Sequence, residues 1–404
     1  MAQLNKINIE MLSTGVEVLY GQIIDTNAAW LSDFLFQQGF AMTARTTAGD
    51  NLQQLIAMLQ ARSQENDILI VNGGLGPTQD DLSALAAAIA CGETLVLNEP
   101  WLRQMQRYYA ASGREMSPAN EKQAMLPKGA EMISNPVGTA CGFSLQMNGC
   151  WLFFTPGVPS EFKVMIKDEI LPRIRQLYPE TEPMLCYRLT ILGRSESELA
   201  SELERNLVLP EAVSLGYRAA MPIVELKLTG PAHCQPAMDN IWQQIQQQVN
   251  DSTIFHGTIG LPALIATLLG QKNLHLTVIE QYTAGLLSYQ LYQADAPLVK
   301  STVCQGQVHD LRQLAAQQQA ETQADIVLAI GDYQPDEHFF EIVLLSQSQS
   351  QWQTARFRMT YTSRQYAKPI LQETFLTVAL DLLRRHLLGL PMVAPNIWLT
   401  VEPI

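Results

Sequence analysis

Long apolar runs, paired cysteines and basic clusters are all missing from this chain of 404 residues, and each absence removes a class of function. No apolar stretch reaches the roughly 20 residues a bilayer span needs, so no membrane role is expected. The opening MAQLNKINIEMLSTG has no basic segment followed by an apolar one, which predicts no secretory signal and a cytoplasmic address. The six cysteines (Cys91, Cys141, Cys150, Cys186, Cys234, Cys304) are scattered, without the CxxC spacing of a zinc or dithiol site. The expectation is buried, reduced thiols, which suits the cytosol. Lys and Arg number 26 against 39 Asp and Glu, a formal net charge of −13. Nucleic acid would be repelled by such a chain unless a basic stripe compensated. The densest basic spot is only Arg384-Arg385-His386, at the end of a helical pattern where cations suit the helix dipole.

What is present is an ordinary globular composition, 47% apolar and 16% charged, which excludes disorder. The length exceeds what one hydrophobic core normally supports, so two or three domains are expected. The first 170 or so residues alternate strand and helix patterns, which predicts an α/β fold with a mainly parallel sheet and helices on both faces. Strands are expected at Ile7–Ser13, Ala41–Thr47 and Asp67–Asn72, the last nearly all apolar as in the centre of a parallel sheet. Helices are expected at Thr26–Gln38, with Thr26 as N-cap, at Asn51–Ser63 and at Asp80–Ala90. After Pro172 the pattern changes. CYRLTIL, ESELASELERN and VELKLTG suit a small α/β module over 173–256, and a third α/β part, 257–404, holds the strands LHLTVIE, DIVLAIG and FFEIVLL. A glutamine-rich stretch, Gln305–Asp325, reads as a solvated helix. An amphipathic helix, about Tyr366–Leu388, closes the chain, with Ile370, Phe375, Val378, Ala379 and Leu382 on its apolar stripe.

The most informative stretch is Asn72-Gly-Gly-Leu-Gly-Pro-Thr-Gln-Asp-Asp-Leu82, between a central strand and a helix. Ligands of open parallel sheets bind at the carboxyl ends of strands. Gly73, Gly74 and Gly76 let backbone N–H groups approach an anion, and a following helix N-terminus adds more donors. Asp80 and Asp81 would repel a bare phosphate. They fit if a divalent cation, bound by hard oxygen ligands, bridges carboxylate and phosphate; alternatively they only cap the helix. Thr14-Gly15-Val16-Glu17 follows the first strand, and GQIIDTN, ending at Asn27, leads to the next helix. Asn120, Lys122 and Gln123 offer a cation and two amides. Two further turns, Asn135–Ala140 with Gly138 and Thr139, and Thr155–Glu161 with Gly157, are punctuated by glycine and proline.

The combination TGVEVLYGQIIDTNAAWL, TTAGDN, NGGLGPTQDDL, NEKQAMLPKGA, NPVGTACGF and TPGVPSEFKVM resembles the N-terminal domain of the CinA family, itself similar to molybdopterin-binding domains. The likeness covers residues 1–170 and extends through GRSESELASEL, VELKLTG and the final helix YAKPILQETFLTVALDLLRRHL. It implies metal-dependent splitting of ADP-ribose into AMP and ribose 5-phosphate, with a divalent ion (Mg, Mn or Co) and potassium. On that reading Thr14, Gly15, Asn27, Asn72, Gly73, Gly74, Gly76, Thr78, Asn120, Gln123, Gly138, Thr139 and Gly157 bind the nucleotide. Asp80 and Asp81 bring the cation, Lys122 neutralises developing charge, and Glu17 is a metal ligand or a general base. Val16 stands where many relatives carry Asp or Thr. A pterin- or nucleotide-binding sensor without hydrolysis, and a scaffold protein, are the alternatives.

Full-length members of the family resemble a nicotinamide mononucleotide deamidase in their last third, with a serine in an ESCTGG-like turn and a lysine in a YSNxxK-like segment. A hydroxyl nucleophile needs a base beside it. Here the turn reads Glu280-Gln281-Tyr282-Thr283-Ala284-Gly285, with Gln281 at the serine position. The second segment reads APLVKSTVCQGQVHDL, and only Gly331 remains of a later SGIAGP-like loop. Ser288 reads as an ordinary helix-surface serine. The expectation is a deamidase-like domain without activity, serving packing, regulation or homo-oligomerisation, a dimer being the default. The expected partner of the whole chain is a small-molecule nucleotide, with no nucleic acid and no membrane.

Overall fold

The computed structural model describes residues 7–179, 181–305, 310–348, 351–361 and 366–404. It divides into two compact units after Leu185. Among the described residues no helix is long and apolar enough to cross a membrane.

The first unit runs β1 (Ile9–Thr14), α1 (Val16–Leu19), α2 (Thr26–Gln37), β2 (Met42–Ala48), α3 (Leu52–Glu65), β3 (Ile68–Asn72), α4 (Ser83–Ala90), β4 (Leu95–Leu97), α5 (Glu99–Ala111), β5 (Met125–Pro127), β6 (Glu131–Ile133), β7 (Gly142–Met147), β8 (Cys150–Thr155), α6 (Pro159–Met165) and α7 (Leu171–Leu177). Its six-stranded sheet has the order β2-β1-β3-β8-β7-β6. The pairs β2-β1, β1-β3 and β3-β8 are parallel, and β8-β7 and β7-β6 antiparallel. This is the expected mainly parallel sheet, and the period-2 pattern of its strands explains the helices on both faces. Ile9, Met11, Ile68, Ile70 and Phe153 point to one side, against Leu31 and Leu35 of α2 and Phe162 of α6. Leu12, Leu69, Val71, Leu152 and Phe154 point to the other, against Leu55 and Leu59 of α3 and Ala86 of α4. Phe143 and Phe154 stack there at 4.3 Å, both fully buried, each worth about 1.5–3 kcal/mol of burial.

Register places the site. Ser13 pairs with Asn72, Asn72 with Thr155 and Thr14 with Ala48, so the carboxyl ends of β2, β1, β3 and β8 form one edge. Two expected boundaries move. Asp25, not Thr26, caps α2, its carboxylate accepting from Ala28 N at 2.8 Å. The helix after the glycine turn begins at Ser83, not Asp80, because Ser83 N donates to Gly74 O at 3.1 Å and holds the intervening residues in a loop.

The second unit contains β9 (Met184–Leu192), α8 (Glu196–Asn206), β10 (Ser214–Ala220), β11 (Ile223–Pro231), α9 (Gln235–Val249), β12 (Thr253–His256), α10 (Leu261–Lys272), β13 (Leu276–Glu280), α11 (Leu286–Gln293), β14 (Leu298–Val303), α12 (Leu311–Thr322), β15 (Ile326–Ile330), β16 (Phe339–Ser348), β17 (Gln351–Tyr361), α13 (Lys368–Leu388) and β18 (Leu399–Pro403). They build a four-stranded sheet, β10-β11-β9-β12, and a six-stranded one, β14-β13-β15-β16-β17-β18. The closing helix departs from a simple amphipathic stripe: every residue from Val378 to Arg385 is buried. Arg384 and Arg385 are consequently not surface caps. They are 6% and 5% exposed and share the buried Asp381 carboxylate. Of the cysteines, all six are free. Cys141 and Cys150 are buried, which pushes both thiols up to about 12, and the other four are half-buried.

Candidate ligand site

A cavity of about 510 Å³ opens at the strand edge described above, within the range of small-molecule sites. Its floor is a chain of buried amides. Asn72, at the end of β3, donates through Nδ2 to Pro156 O (2.7 Å) and Thr155 Oγ1 (3.2 Å). Its Oδ1 accepts from Asn27 Nδ2 at 3.0 Å, and Asn27 also donates to Gly157 O at 2.8 Å. Asn27 Oδ1 is buried with no donor, an orphan acceptor at the base of the site.

The glycine bend forms one wall. Gly73 has φ +109° and Gly74 φ +67°, conformations that only glycine takes without strain. A Cβ on Gly73 would lie 2.6 Å from Thr14 Oγ1, and one on Gly74 would strike the Ser83 hydroxyl. The bend is pinned by Gly73 N on Thr155 O (2.9 Å) and Ser83 Oγ on Gly73 O (2.8 Å). The N–H groups of Gly74, Leu75 and Gly76 make no hydrogen bond among the described residues. All three residues line the cavity.

The electrostatics run against a bare anion. Glu17, Asp25, Asp50, Asp80, Asp81 and Glu161 line the cavity, and no Lys or Arg is among the described lining residues. Burial, and then repulsion from Glu17, Asp80 and Asp81, holds the Asp50 carboxyl above the usual carboxylate range, against the pull of Val16 N–H at 3.1 Å. The Asp80 carboxyl is held below its usual range, chiefly by the Thr78 hydroxyl. Several of these groups are already engaged. Asp81 Oδ2 accepts from Thr78 N (2.8 Å) and Thr78 Oγ1 (2.6 Å), closing the Pro77–Asp81 loop. Asp25 accepts from Ser13 Oγ (2.5 Å) besides capping α2, and Glu161 accepts from Asn135 Nδ2 (2.7 Å).

Of the residues expected from sequence, Thr14, Gly15, Glu17, Asn27, Asn72, Gly73, Gly74, Gly76, Asp80, Asp81, Gln123, Thr139 and Gly157 come together around the cavity. Thr78, Asn120, Lys122 and Gly138 are outside its lining. Lys122 Nζ instead donates to Thr78 O, and its charge helps hold the Asp80 carboxyl down. Asn120 Nδ2 donates to Tyr109 Oη at 2.7 Å, and Gly138 lies against the Glu161 carboxylate. Sequence reasoning passed over Asp25, Asp50 and Glu161 as site residues. Asp50 stood in plain view: it follows β2 directly, at the same sheet edge as Thr14 and Asn72. No three His, Cys, Asp or Glu side chains converge as a metal-ligand group among the described residues.

The deamidase-like turn has its own order. Glu280 is fully buried and caps α11, accepting from Leu287 N (2.9 Å), Ser288 N (2.8 Å) and Thr283 Oγ1 (2.7 Å). Ser288 is not a simple surface serine: it is half-buried and its hydroxyl donates to the same carboxylate. Ala284, at the expected first glycine, takes the left-handed φ of +52°. Tyr282 packs on Phe375 and Tyr333, with Lys368 Nζ 5.4 Å above its ring. Lys300 is exposed and paired with Glu321 at 3.0 Å; positions 306–309 of its segment lie outside the described residues.

A family model for a probable molybdopterin binding domain matches residues 10–176. Over the full length, a CinA-like protein of Shigella flexneri is 50% identical across 398 residues, 98% of each chain. The chain belongs to the CinA-like family. Another CinA-like relative, from Escherichia coli strain K12, is named NMN amidohydrolase-like protein YfaY and is 49% identical across 398 residues, again 98% of each chain. Among solved structures, the CinA protein of Thermoplasma acidophilum is 30% identical, covering 41% of this CinA-like chain and 96% of its own, with a TM-score of 0.38. A molybdopterin biosynthesis protein from Mycobacterium abscessus is 12% identical over 42% of this chain and 98% of its own, TM-score 0.30.

These findings correct the activity expected from sequence. The family model over the N-terminal domain is one of molybdopterin binding, and these full-length relatives are named CinA-like and NMN amidohydrolase-like. None of these names is that of an ADP-ribose pyrophosphatase, and the sensor and scaffold alternatives are no better supported. The expectation of a deamidase-like third without activity is corrected too, since the one activity word among these names is amidohydrolase-like. That name suggests an enzyme family.

Proposed function

We propose that the N-terminal domain is the ligand-recognition site of an enzyme acting on a molybdopterin-like small molecule, a fused heterocycle that carries a phosphate tail. The observation that carries this reading is the row of unpartnered N–H groups at Gly74, Leu75 and Gly76 along a cavity of about 510 Å³. Such a nest of successive amides takes a phosphate through its oxygens. The acidic remainder of the cavity suits the other end of the ligand. A pterin ring presents a guanidine-like edge rich in N–H donors, and carboxylates accept such an edge in paired hydrogen bonds. The Asn27–Asn72 amide floor fixes the depth of the ring, and Asn27 Oδ1 has a place for one further donor. The description of the matching family model is consistent with this ligand class.

The test is a fluorescence titration of the full chain with molybdopterin released from a molybdoenzyme. Saturable binding at one site per chain is expected, abolished in Gly74→Val, whose side chain would strike Ser83. Binding that is absent in the folded wild type, or undiminished in a folded Gly74→Val variant, rejects the reading.

A further inference from the structure

The second unit holds a cavity of about 550 Å³ where β12 meets the end of α13 and the segment after it. Most of its wall is apolar, including Ile254, Phe255, Ile259, Leu264, Leu388 and Val393. Two arginines stand in that wall. Arg384 and Arg385 are 6% and 5% exposed, and among the described residues their carboxylate partner is Asp381, 5% exposed. Asp381 Oδ1 accepts from Arg384 Nε (2.8 Å) and forms an ion pair with its Nη2 (2.7 Å), and Oδ2 accepts from Arg385 Nε (2.8 Å).

The two guanidinium groups are then used differently. Arg385 is spent on main chain, donating to Pro391 O at 3.2 Å and to Asp251 O. Nη1 of Arg384 makes no hydrogen bond among the described residues, yet it is not one of the buried atoms lacking a partner. Arg384 itself lines the cavity. The buried cluster carries two positive charges against one negative. Asp251, the acidic residue of the described lining, has an exposed side chain and offers the cluster its carbonyl. His256 adds no charge at neutral pH, because burial and the Arg384 charge hold its imidazole below the usual value. A buried, uncompensated guanidinium is costly, and its planar fork is shaped for a carboxylate.

We propose that this cavity is a binding site for a small organic carboxylate with an apolar body, the carboxylate seated on Arg384 and the body against the apolar wall. One residual positive charge matches a monoanion better than a phosphate dianion. An apolar wall with a few convergent polar groups is the usual make-up of such sites. The site is separate from the N-terminal cavity: its lining lies wholly within the second unit.

The experiment uses 8-anilinonaphthalene-1-sulfonate as a fluorescent apolar anion on the folded full chain, displaced by octanoate, benzoate or inorganic phosphate. The expected result is one saturable site per chain, cleared by octanoate or benzoate and not by phosphate. Arg384→Lys keeps the charge and loses the fork, and weakens the site by about tenfold, as for one lost charge-assisted contact. Val393→Trp fills the cavity and removes the site, while Gly74→Val leaves it intact. The proposal is overturned by absence of a saturable site, by displacement with phosphate alone, or by binding unchanged in Val393→Trp.

Discussion

Truncating Asn72 to alanine tests the amide floor most sharply. The side chain is 5% exposed and makes three hydrogen bonds, to Pro156 O, Thr155 Oγ1 and Asn27 Nδ2. Each contributes about 1 kcal/mol net, and the Pro156 carbonyl is left buried without a donor. The sum is a loss of about 3–4 kcal/mol. For a unit of this size 1 kcal/mol moves the midpoint by roughly 2–4 °C, so a fall of about 6–16 °C in the N-terminal transition is expected by calorimetry. Asn27→Ala removes the shared bond from the other side. The double variant should then fall short of additivity by about 1 kcal/mol. A midpoint change below about 2 °C for Asn72→Ala, or full additivity, refutes the claim that these amides form one coupled floor.

Three other outcomes follow from the geometry. Gly73→Ala places a Cβ 2.6 Å from Thr14 Oγ1 at φ +109° and should cost about 2–4 kcal/mol in urea unfolding, strain and crowding together. Ala284→Gly relieves a left-handed alanine and should stabilise the second unit by about 0.5–1 kcal/mol, the left-handed penalty less the entropy of glycine; a loss of stability would contradict the φ reported. Asp50 has a raised carboxyl pKa, so the stability it contributes is fully present below its unfolded value. That contribution is lost as pH rises through the folded value. Asp50→Asn should flatten the stability profile over that acid window and leave the protein no less stable at pH 7; an unchanged profile would show that burial and the neighbouring carboxylates do not raise the Asp50 carboxyl.

Much of the N-terminal architecture was legible because its strands alternate or run apolar and its helices carry ordinary caps. Asp67–Asn72 reads as a central strand because it is nearly all apolar, and every residue from Ile68 to Asn72 is buried. The loop after Gly74 was less legible. Asp80 and Asp81 look like the first turn of a helix, and only the Ser83–Gly74 hydrogen bond delays that helix to Ser83. In the second unit, β10 was missed because SLGYRAA is a largely exposed edge strand with small residues, and its pairing with β11 supplies what its composition does not. The Asp381–Arg384–Arg385 cluster was also hidden. On one helix the i, i+3 and i+4 spacing is that of a solvated ion pair, and only packing on every side of α13 makes it a buried one. At the site, the glycine bend announced itself through residue type. The acidity of the cavity did not, because Asp25 and Asp50 come from two loops and Glu161 from the first turn of α6, three segments that only sheet register brings together.

The most direct measurement is hydrogen exchange of the full chain with and without molybdopterin. The account predicts slowed exchange confined to peptides spanning 13–27, 72–81 and 155–161, with the Gly74, Leu75 and Gly76 amides most protected. Unchanged exchange in those amides, with or without protection elsewhere, would contradict it.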